Sequence, residues 1–297
     1  LGNDSDQREP CILDYWLSYI DEDPRQAIAV AQAAEAAGFR GLALADHVCV
    51  PTKFASLHPS GGPTPFDHRS DFPDPLITAA SVLAATTALE VMTYVYVLPM
   101  REPFSVASQV ATLDLLSGGR FRFGVGAGWL TEEIALLGHP IRGRGRRMDE
   151  MLEIIRRFWT EDEVEFHGEF FDFDAAGIAP KPTSAVPIWV GGKSPAALDR
   201  AVRQDGWLGM NYDLPEVYDL LGSLQERLRA TGKAGHDGFE IFVIPNAAPT
   251  EDLYADLASR GVTATMGSAW AYNDRDFSAL EAKQNAIAEF GQRFIAG

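Results

Sequence analysis

The sequence predicts an α/β fold, a closed (β/α)8 TIM barrel. Segments typical of strands alternate with segments typical of helices eight times along the 297 residues, which is the pattern of repeated βα units. The strand segments are continuous apolar runs, as expected for parallel strands buried on both faces. No linker rich in Gly, Ser or Pro divides the chain, so we expect residues 1–297 to form a single domain. An open, doubly wound sheet is the alternative architecture.

Each predicted strand is an apolar or β-branched run bounded by turn residues. In chain order these runs are CILDYWLSYI (11–20), FRGLALA (39–45), VMTYVYVLP (91–99), FRFGVGAG (121–128), VPIWVGG (186–192), DGWLGMN (205–211), FEIFVIP (239–245) and VTATMGS (262–268). The spacing leaves room for one helix after each strand.

Many of the predicted helices begin near a proline or a polar capping residue, and several end at a glycine. They cover residues 24–38, 75–88, 102–119, 141–162, 194–204, 214–232, 250–261 and 276–294. Two segments fall outside this pattern: a long loop after strand two (48–74) and a hairpin before strand five (165–177). A loop as long as 48–74 in a compact domain is commonly functional.

The composition excludes several classes of partner. With 46% apolar residues the chain can bury a sizeable core, and its formal net charge of −17 would repel nucleic acid and anionic membranes. No apolar run is long enough to span a membrane. The two cysteines, Cys11 and Cys49, form no disulfide framework and would sit at opposite ends of adjacent strands. We therefore expect a reducing, cytoplasmic location.

The first ten residues, LGNDSDQREP, lack the apolar core of a signal peptide. We expect residues 1–10 to be disordered or a remnant of expression.

In a barrel of this kind the active site lies at the carboxyl ends of the strands. Strand two ends in Asp46-His47, and a histidine there can exchange a proton near neutral pH. Strand five ends in Gly191-Gly192-Lys193 and leads into a helix, which is a plausible cradle for an anion.

The glycines of FRFGVGAGWLTEE (121–133) are spaced Gly124-x-Gly126-x-Gly128. The dinucleotide fingerprint G-x-G-x-x-G does not fit, because Trp129 stands where its third glycine should be. Two interpretations remain: a tightly packed, bulged strand end, or a cofactor site at the barrel mouth.

Two further groups each allow two interpretations. Arg146 and Arg147 either pair with Asp149 and Glu150 or belong to a patch that holds the anionic tail of a cofactor. That patch is Arg142, Arg144, Arg146 and Arg147. Tryptophans near strand ends either fill the core or wall a planar ligand; they are Trp129, Trp207 and Trp270.

The chain resembles the bacterial luciferase-like superfamily in six motifs that occur in the same order. They are LSGGRFRFGVGAGW, RGRRMDEMLEIIRRFWTED, FHGEFFDF, PKP, PIWVGG and DGW. The resemblance runs from about residue 12 to the last helix, and the most similar branch is the oxidoreductases that use the deazaflavin coenzyme F-420. It implies a (β/α)8 barrel that holds the cofactor ring in its mouth, and commonly a homodimer.

The resemblance also implies roles for individual residues. A cis peptide bond that supports the ring is expected near Tyr94-Val95, and His47 is expected to be the catalytic acid or base. The residues expected to contact the cofactor are Asp46, His47, Tyr94, Val95, Gly126, Ala127, Gly128, Trp129, Val190, Gly191, Gly192 and Lys193. In the loop 48–74, His58, His68 and Arg69 are expected to cap the substrate.

We therefore predict hydride transfer between coenzyme F-420 and an unidentified small organic substrate. The alternative is a monooxygenase that uses reduced FMN and oxygen, since the phosphates of the two cofactors would use a similar cradle. The glucose-6-phosphate branch has a catalytic Glu where Trp129 stands, which argues against sugar phosphates. Metal ligands are not expected, because the six histidines are scattered. A barrel that binds the cofactor without turnover is the non-enzymatic alternative.

Overall fold

The computed structural model describes residues 13–61, 63–233, 238–267, 269–270 and 276–296. In this part of the chain the main sheet consists of β1 (Asp14–Tyr19), β2 (Gly41–Leu44), β3 (Glu90–Thr93), β4 (Tyr96–Val97), β5 (Phe121–Gly126), β8 (Ile188–Gly191), β9 (Gly206–Tyr212), β10 (Glu240–Pro245) and β11 (Ala264–Gly267). A separate antiparallel hairpin consists of β6 (Val164–His167) and β7 (Asp172–Ala176). The hairpin predicted at 165–177 is therefore confirmed.

The main sheet closes into a parallel barrel with eight strand positions. Its strand order is β3-β2-β1-β11-β10-β9-β8-β5-β4, and an additional pairing of β3 with β5 joins the two ends. The predicted (β/α)8 architecture is confirmed. Residues 91–99 do not form one continuous strand, because the chain leaves the sheet at Tyr94 and Val95 between β3 and β4.

The helices surround the barrel as α1 (Ala27–Ala36), α2 (Pro75–Ala85), α3 (Pro103–Ser117), α4 (Thr131–Leu136), α5 (Arg144–Thr160), α6 (Pro195–Ala201), α7 (Leu214–Ala230), α8 (Glu251–Ser259) and α9 (Leu280–Phe290). Side chains cap several of them: Asp74 accepts hydrogen bonds from two backbone N–H groups of α2, and Ser194 accepts one from α6. The short α4 was not predicted. Within the described ranges, none of the helices has both the length and the apolar character to cross a membrane.

Two apolar layers hold the barrel together. One layer packs the outer faces of the strands against the helices, and the other fills the barrel interior around Trp16, Trp189 and Phe242. Arg40 lies at the amino-terminal end of the strands and forms ion pairs with Asp14, Glu90 and Glu240. Side chains therefore fill the barrel interior and its amino-terminal end, and a site can form at the carboxyl ends of the strands.

Some sequence expectations lie outside the described residues. These are the state of residues 1–10, the position of Cys11 and the strand end at Ser268. Cys49 is described and is a free thiol.

Candidate active site

A cavity of about 600 Å³ opens at the carboxyl ends of the strands. It brings together most of the residues that the sequence analysis selected. Those that line it are Asp46, His47, His58, Tyr94, Val95, Gly126, Ala127, Gly128, Trp129, Gly191, Gly192 and Lys193. A site of this size and position is typical of cofactor-binding barrels.

The segment between β3 and β4 forms a bulge on the cavity wall. The Tyr94–Val95 peptide bond is cis, as predicted. The Tyr94 hydroxyl donates a hydrogen bond to the carbonyl of Gly209 across the barrel, and burial raises the pKa of this phenol well above its usual value. The bulge is therefore fixed at its base by a group that stays protonated.

The glycines at the strand ends make room for this bulge. A Cβ atom on Gly126 would lie 2.7 Å from Val95 Cγ2, and one on Gly191 would lie 2.8 Å from Val95 Cγ1. A Cβ atom on Gly124 would lie 2.0 Å from the Thr93 carbonyl oxygen. The glycine-rich stretch thus allows the close approach of neighbouring backbone and of Val95, and the same strand end lines the cavity.

We predict that Gly126→Ala destabilises the protein by about 1–3 kcal/mol, the usual cost of overpacking. The expected cause is the added methyl group, which would displace Val95. Gly222→Ala is the matched control, because a Cβ atom there, on α7, meets nothing within 4 Å. Urea unfolding measures both variants, and equal stability of the two would contradict this account of the glycine.

His47 forms a buried pair with Glu133, a residue that the sequence analysis did not select. His47 Nδ1 lies 2.7 Å from Glu133 Oε2, and the two side chains are 8% and 1% exposed. The other carboxylate oxygen of Glu133 accepts hydrogen bonds from the backbone N–H groups of Val48 (2.6 Å) and Cys49 (3.1 Å). Three hydrogen bonds thus compensate the burial of this carboxylate.

The arrangement fixes which nitrogen of His47 is available for chemistry. With Nδ1 directed at the carboxylate, Nε2 is the nitrogen left for the cavity that His47 lines. The sequence contains one local signal for Glu133, an acidic residue in a short segment between the apolar residues Leu130 and Ile134. A partner 86 residues away in the sequence is not contained in that signal.

We predict that Glu133→Gln lowers kcat by roughly 10²-fold or more, because the amide cannot stabilise an imidazolium and can favour the other tautomer. The ¹⁵N chemical shifts of the His47 ring are the diagnostic measurement, and they should change from those of a single tautomer to those of a mixture. Glu132→Gln, next in sequence, serves as the control. Unchanged ring shifts in Glu133→Gln would show that Glu133 only supports the loop.

Asp46 lines the cavity, but its carboxylate is bonded to Arg101 and to the backbone N–H of Val97. Oδ1 accepts a hydrogen bond from Arg101 Nη2 at 2.6 Å, and Oδ2 accepts bonds from Arg101 Nη1 and from the Val97 N–H, each at 2.7 Å. The guanidinium of Arg101 lies 4.2 Å from the centre of the Tyr96 ring. Asp46 therefore anchors the segment that follows the bulge.

The capping loop, residues 48–74, covers the His47 side of the cavity. Glu132 holds one part of it: its carboxylate accepts hydrogen bonds from the Ser56 hydroxyl at 2.6 Å and from the Ala55 N–H at 2.7 Å. These bonds lower the pKa of Glu132 to about 2. Asp21 holds the other end of the loop through the Ser70 hydroxyl and the Asp71 N–H.

The loop brings only one of its three expected substrate residues to the cavity. His58 lines the cavity, and its ring centre lies 5.1 Å from that of Trp129. His68 and Arg69 are exposed and lie away from the described cavity wall. The turn that carries them faces solvent, and their role in capping the substrate stays a prediction.

Lys193 is one of two cations, with Arg144, that line the described part of the cavity. Lys193 Nζ forms an ion pair with Glu216 at 2.7 Å and lies 4.9 Å from the centre of the Tyr212 ring. Burial raises the pKa of Tyr212 to about 12, and its hydroxyl has no hydrogen-bond partner among the described residues. The side chain of Val190 is buried in the layer between strands and helices, and the expected contact of its backbone with the cofactor stays a prediction.

The run of arginines at the start of α5 does not act as one patch. Arg144 lines the cavity, and its Nε donates a hydrogen bond to the Gly128 carbonyl at 3.2 Å. Arg146 pairs with Glu169, and Arg147 is buried and donates to backbone carbonyls of residues 99 and 101. Of the two interpretations, the pairing of Arg146 and Arg147 with Asp149 and Glu150 is not found, because both arginines contact other elements.

The three tryptophans separate into different roles. Trp129 lines the cavity. Trp207 is buried, and its indole N–H donates a hydrogen bond to the Gly192 carbonyl at 2.8 Å. Trp270 packs beside Phe277, with 6.4 Å between ring centres.

Comparison of the sequence with known proteins identifies the family to which the chain belongs. The family model described as luciferase-like monooxygenase matches residues 6–290. An uncharacterized protein of Mycobacterium tuberculosis is 36% identical over 273 residues, which are 91% of this chain and 94% of that protein. The FMNH(2)-dependent dimethylsulfone monooxygenase of Pseudomonas fluorescens is 31% identical over 217 residues, 72% of this chain and 54% of that protein.

Comparison of three-dimensional structures shows that the fold is shared with solved proteins. The solved structure of the coenzyme F420-dependent tetrahydromethanopterin reductase from Methanopyrus kandleri superposes with a TM-score of 0.73 at 15% identity. The match covers 96% of this chain and 99% of that one.

Proposed function

The chain belongs to the luciferase-like monooxygenase family of flavin- and deazaflavin-dependent oxidoreductases, and on that premise we propose that it transfers a hydride between coenzyme F-420 and a small organic substrate. The observation that carries this proposal is the His47–Glu133 pair, which stands on the same cavity as the Tyr94–Val95 bulge. A hydride transfer to or from an alcohol carbon needs a group that exchanges the hydroxyl proton. His47 meets this need.

The cavity fits a cofactor with a planar ring and an anionic tail. The bulge and the strand end at Gly126–Trp129 would contact the ring, because they form adjoining parts of the cavity wall. Lys193 and Arg144 on the same wall would attract a phosphate, and the Tyr212 hydroxyl is a buried group with no hydrogen-bond partner among the described residues. The residues present therefore suit either F-420 or FMN.

When bound, F-420 would supply the site that accepts or gives the hydride. In the oxidation direction, His47 Nε2 would take the proton from the substrate's hydroxyl oxygen, and the hydride would leave the carbon that bears this hydroxyl for the cofactor, so that a carbonyl forms. In the reduction direction, the protonated imidazole of His47 would return that proton to the new alkoxide oxygen of the substrate. Glu133 holds the ring in position and stabilises its charged form. The capping loop limits the access of water.

The second candidate is a monooxygenase that uses reduced FMN. It is supported by the 31% identity with the dimethylsulfone monooxygenase over 72% of this chain. Its phosphate would occupy the same side of the cavity, so the two candidates differ first in which cofactor binds.

Cofactor titration separates the candidates. F-420 and FMN are added separately to the purified protein, and Kd is measured from the ligand fluorescence and the tryptophan signal. Micromolar or tighter binding of F-420 with weak binding of FMN supports hydride transfer. Preference for FMN supports the monooxygenase, and binding of neither contradicts the proposed function.

Lys193→Ala should weaken binding of the preferred cofactor by about tenfold, the equivalent of one charge-assisted hydrogen bond. Lys233→Ala is the control, because Lys233 bonds the Gln204 carbonyl and does not line the cavity. If the two variants bind the cofactor equally well, the phosphate does not lie beside Lys193.

A further inference from the structure

We propose that the substrate is an uncharged, compact, mainly apolar alcohol or ketone, bound in an aromatic box over His47. The aromatic box consists of His58, Phe66, Phe72 and Trp129, together with the ring of His47. This inference rests on the proposed function, since it assigns the other reactant of the same site. It follows from the shape of the box and from the distribution of charge along the cavity.

The aromatic box surrounds the reactive imidazole. Ring centres of Phe66 and Phe72 lie 4.9 Å and 4.8 Å from that of His47, and Trp129 lies 6.1 Å away. Phe66 and Phe72 also contact one another, with 5.0 Å between their centres. These rings offer apolar faces and edges to a guest, and His47 Nε2 is the polar atom placed among them.

The two carboxylates beside His47, those of Asp46 and Glu133, are already fully engaged. Glu133 is directed at His47 and at two backbone N–H groups, and Asp46 is directed at Arg101 and the Val97 N–H. A cationic substrate therefore finds no free carboxylate on the part of the wall that the structure describes. His47 and Glu133 together would also carry no net charge when the ring is protonated.

The cations on the described cavity wall, Arg144 and Lys193, each already have a partner. Arg200, at the end of α6, donates hydrogen bonds to the Gly145 carbonyl and to Asp149 near the start of α5. Arg144 donates to the Gly128 carbonyl after β5, and Lys193 follows β8 and pairs with Glu216, whereas His47 follows β2. A cofactor tail is the partner that these two cations fit.

His58 does not add charge to the box. Burial, and secondarily the nearby charge of His47, lower the pKa of His58, so its imidazole is neutral at neutral pH. Its Nδ1 lies 2.6 Å from the Ser60 hydroxyl within the capping loop. An anionic substrate would lose its hydration among these rings, which is unfavourable, and Arg144 and Lys193 of the described cavity wall already bond the Gly128 carbonyl and Glu216.

Matched ligands test this inference through binding, independently of turnover. The neutral probes are cyclohexanone and acetophenone, and the charged probe is 4-oxocyclohexanecarboxylate, which adds only a carboxylate to the first ring. Saturation-transfer NMR on the full-length protein, with and without bound cofactor, gives each affinity. We expect the neutral ring ketone to bind at least about tenfold more tightly than its carboxylate.

A charge placed in the box should reverse this preference. Phe66→Arg is expected to favour the carboxylate over cyclohexanone, and Phe66→Leu is the matched control that should keep the neutral preference. Phe66 lies on the partly exposed capping loop, so both variants are expected to fold. Equal binding of the ketone and its carboxylate, absence of binding by either neutral ketone, or an unchanged preference in Phe66→Arg would overturn the inference.

Cofactor titration of the same preparations distinguishes the two proposals. If F-420 or FMN binds and the neutral preference is absent, only the substrate inference fails. If the neutral ketones bind and neither cofactor does, the proposed function fails while the aromatic box remains a site for neutral ligands.

Discussion

His47→Ala is expected to lower kcat for hydride transfer by about 10²–10⁴-fold, the usual contribution of a positioned general acid or base. The substitution removes the nitrogen that exchanges the substrate's proton. It leaves Glu133 bonded to the backbone N–H groups of Val48 and Cys49, so the fold of the loop should survive. The Kd of the cofactor should change little, because the substitution leaves Arg144 and Lys193, the cations on the described cavity wall, in place.

Steady-state kinetics would measure this effect, with the preferred cofactor and a ketone that the parent protein reduces. Added imidazole should partly restore the rate of His47→Ala, because the lost side chain leaves space on the cavity wall. His68→Ala is the matched control: this histidine belongs to the same capping loop but is exposed and away from the described wall. Full turnover by His47→Ala would exclude its acid–base role.

Arg101→Ala is expected to lower the free energy of unfolding by about 3–5 kcal/mol, the cost of leaving one member of a buried ion pair alone. The carboxylate of Asp46 is 0% exposed and the side chain of Arg101 is 16% exposed. Without the guanidinium, two carboxylate oxygens would retain only the Val97 N–H. The segment after the cis bulge should loosen, and cofactor binding should weaken with it.

Urea unfolding of Arg101→Ala gives the stability change. Arg69→Ala is the surface control and should stay within about 0.5 kcal/mol of the parent protein. The double variant Asp46→Asn/Arg101→Met removes both charges and should recover much of the loss. A change below about 1 kcal/mol in Arg101→Ala would show that the pair adds little to stability.

The architecture was largely predictable because its signals are local. Apolar runs, Pro and Gly positions and the eightfold alternation each depend on residues that are close in sequence, so they indicate strands and helices directly. The rule that barrel sites lie at the carboxyl ends of strands then placed His47, Trp129 and Gly191 at one mouth. The short α4 lacked such signals, because six residues give little periodicity.

By itself, the sequence determined the barrel, the position of its mouth and the residue types available there. Only the tertiary structure decided which side chains meet: Glu133 with His47, Arg101 with Asp46, and Phe66 and Phe72 around the imidazole. It also separated Arg144 from Arg146 and Arg147, and it left His68 and Arg69 in solvent. The physical reason is that secondary structure follows from neighbouring residues, whereas these contacts depend on how distant segments pack.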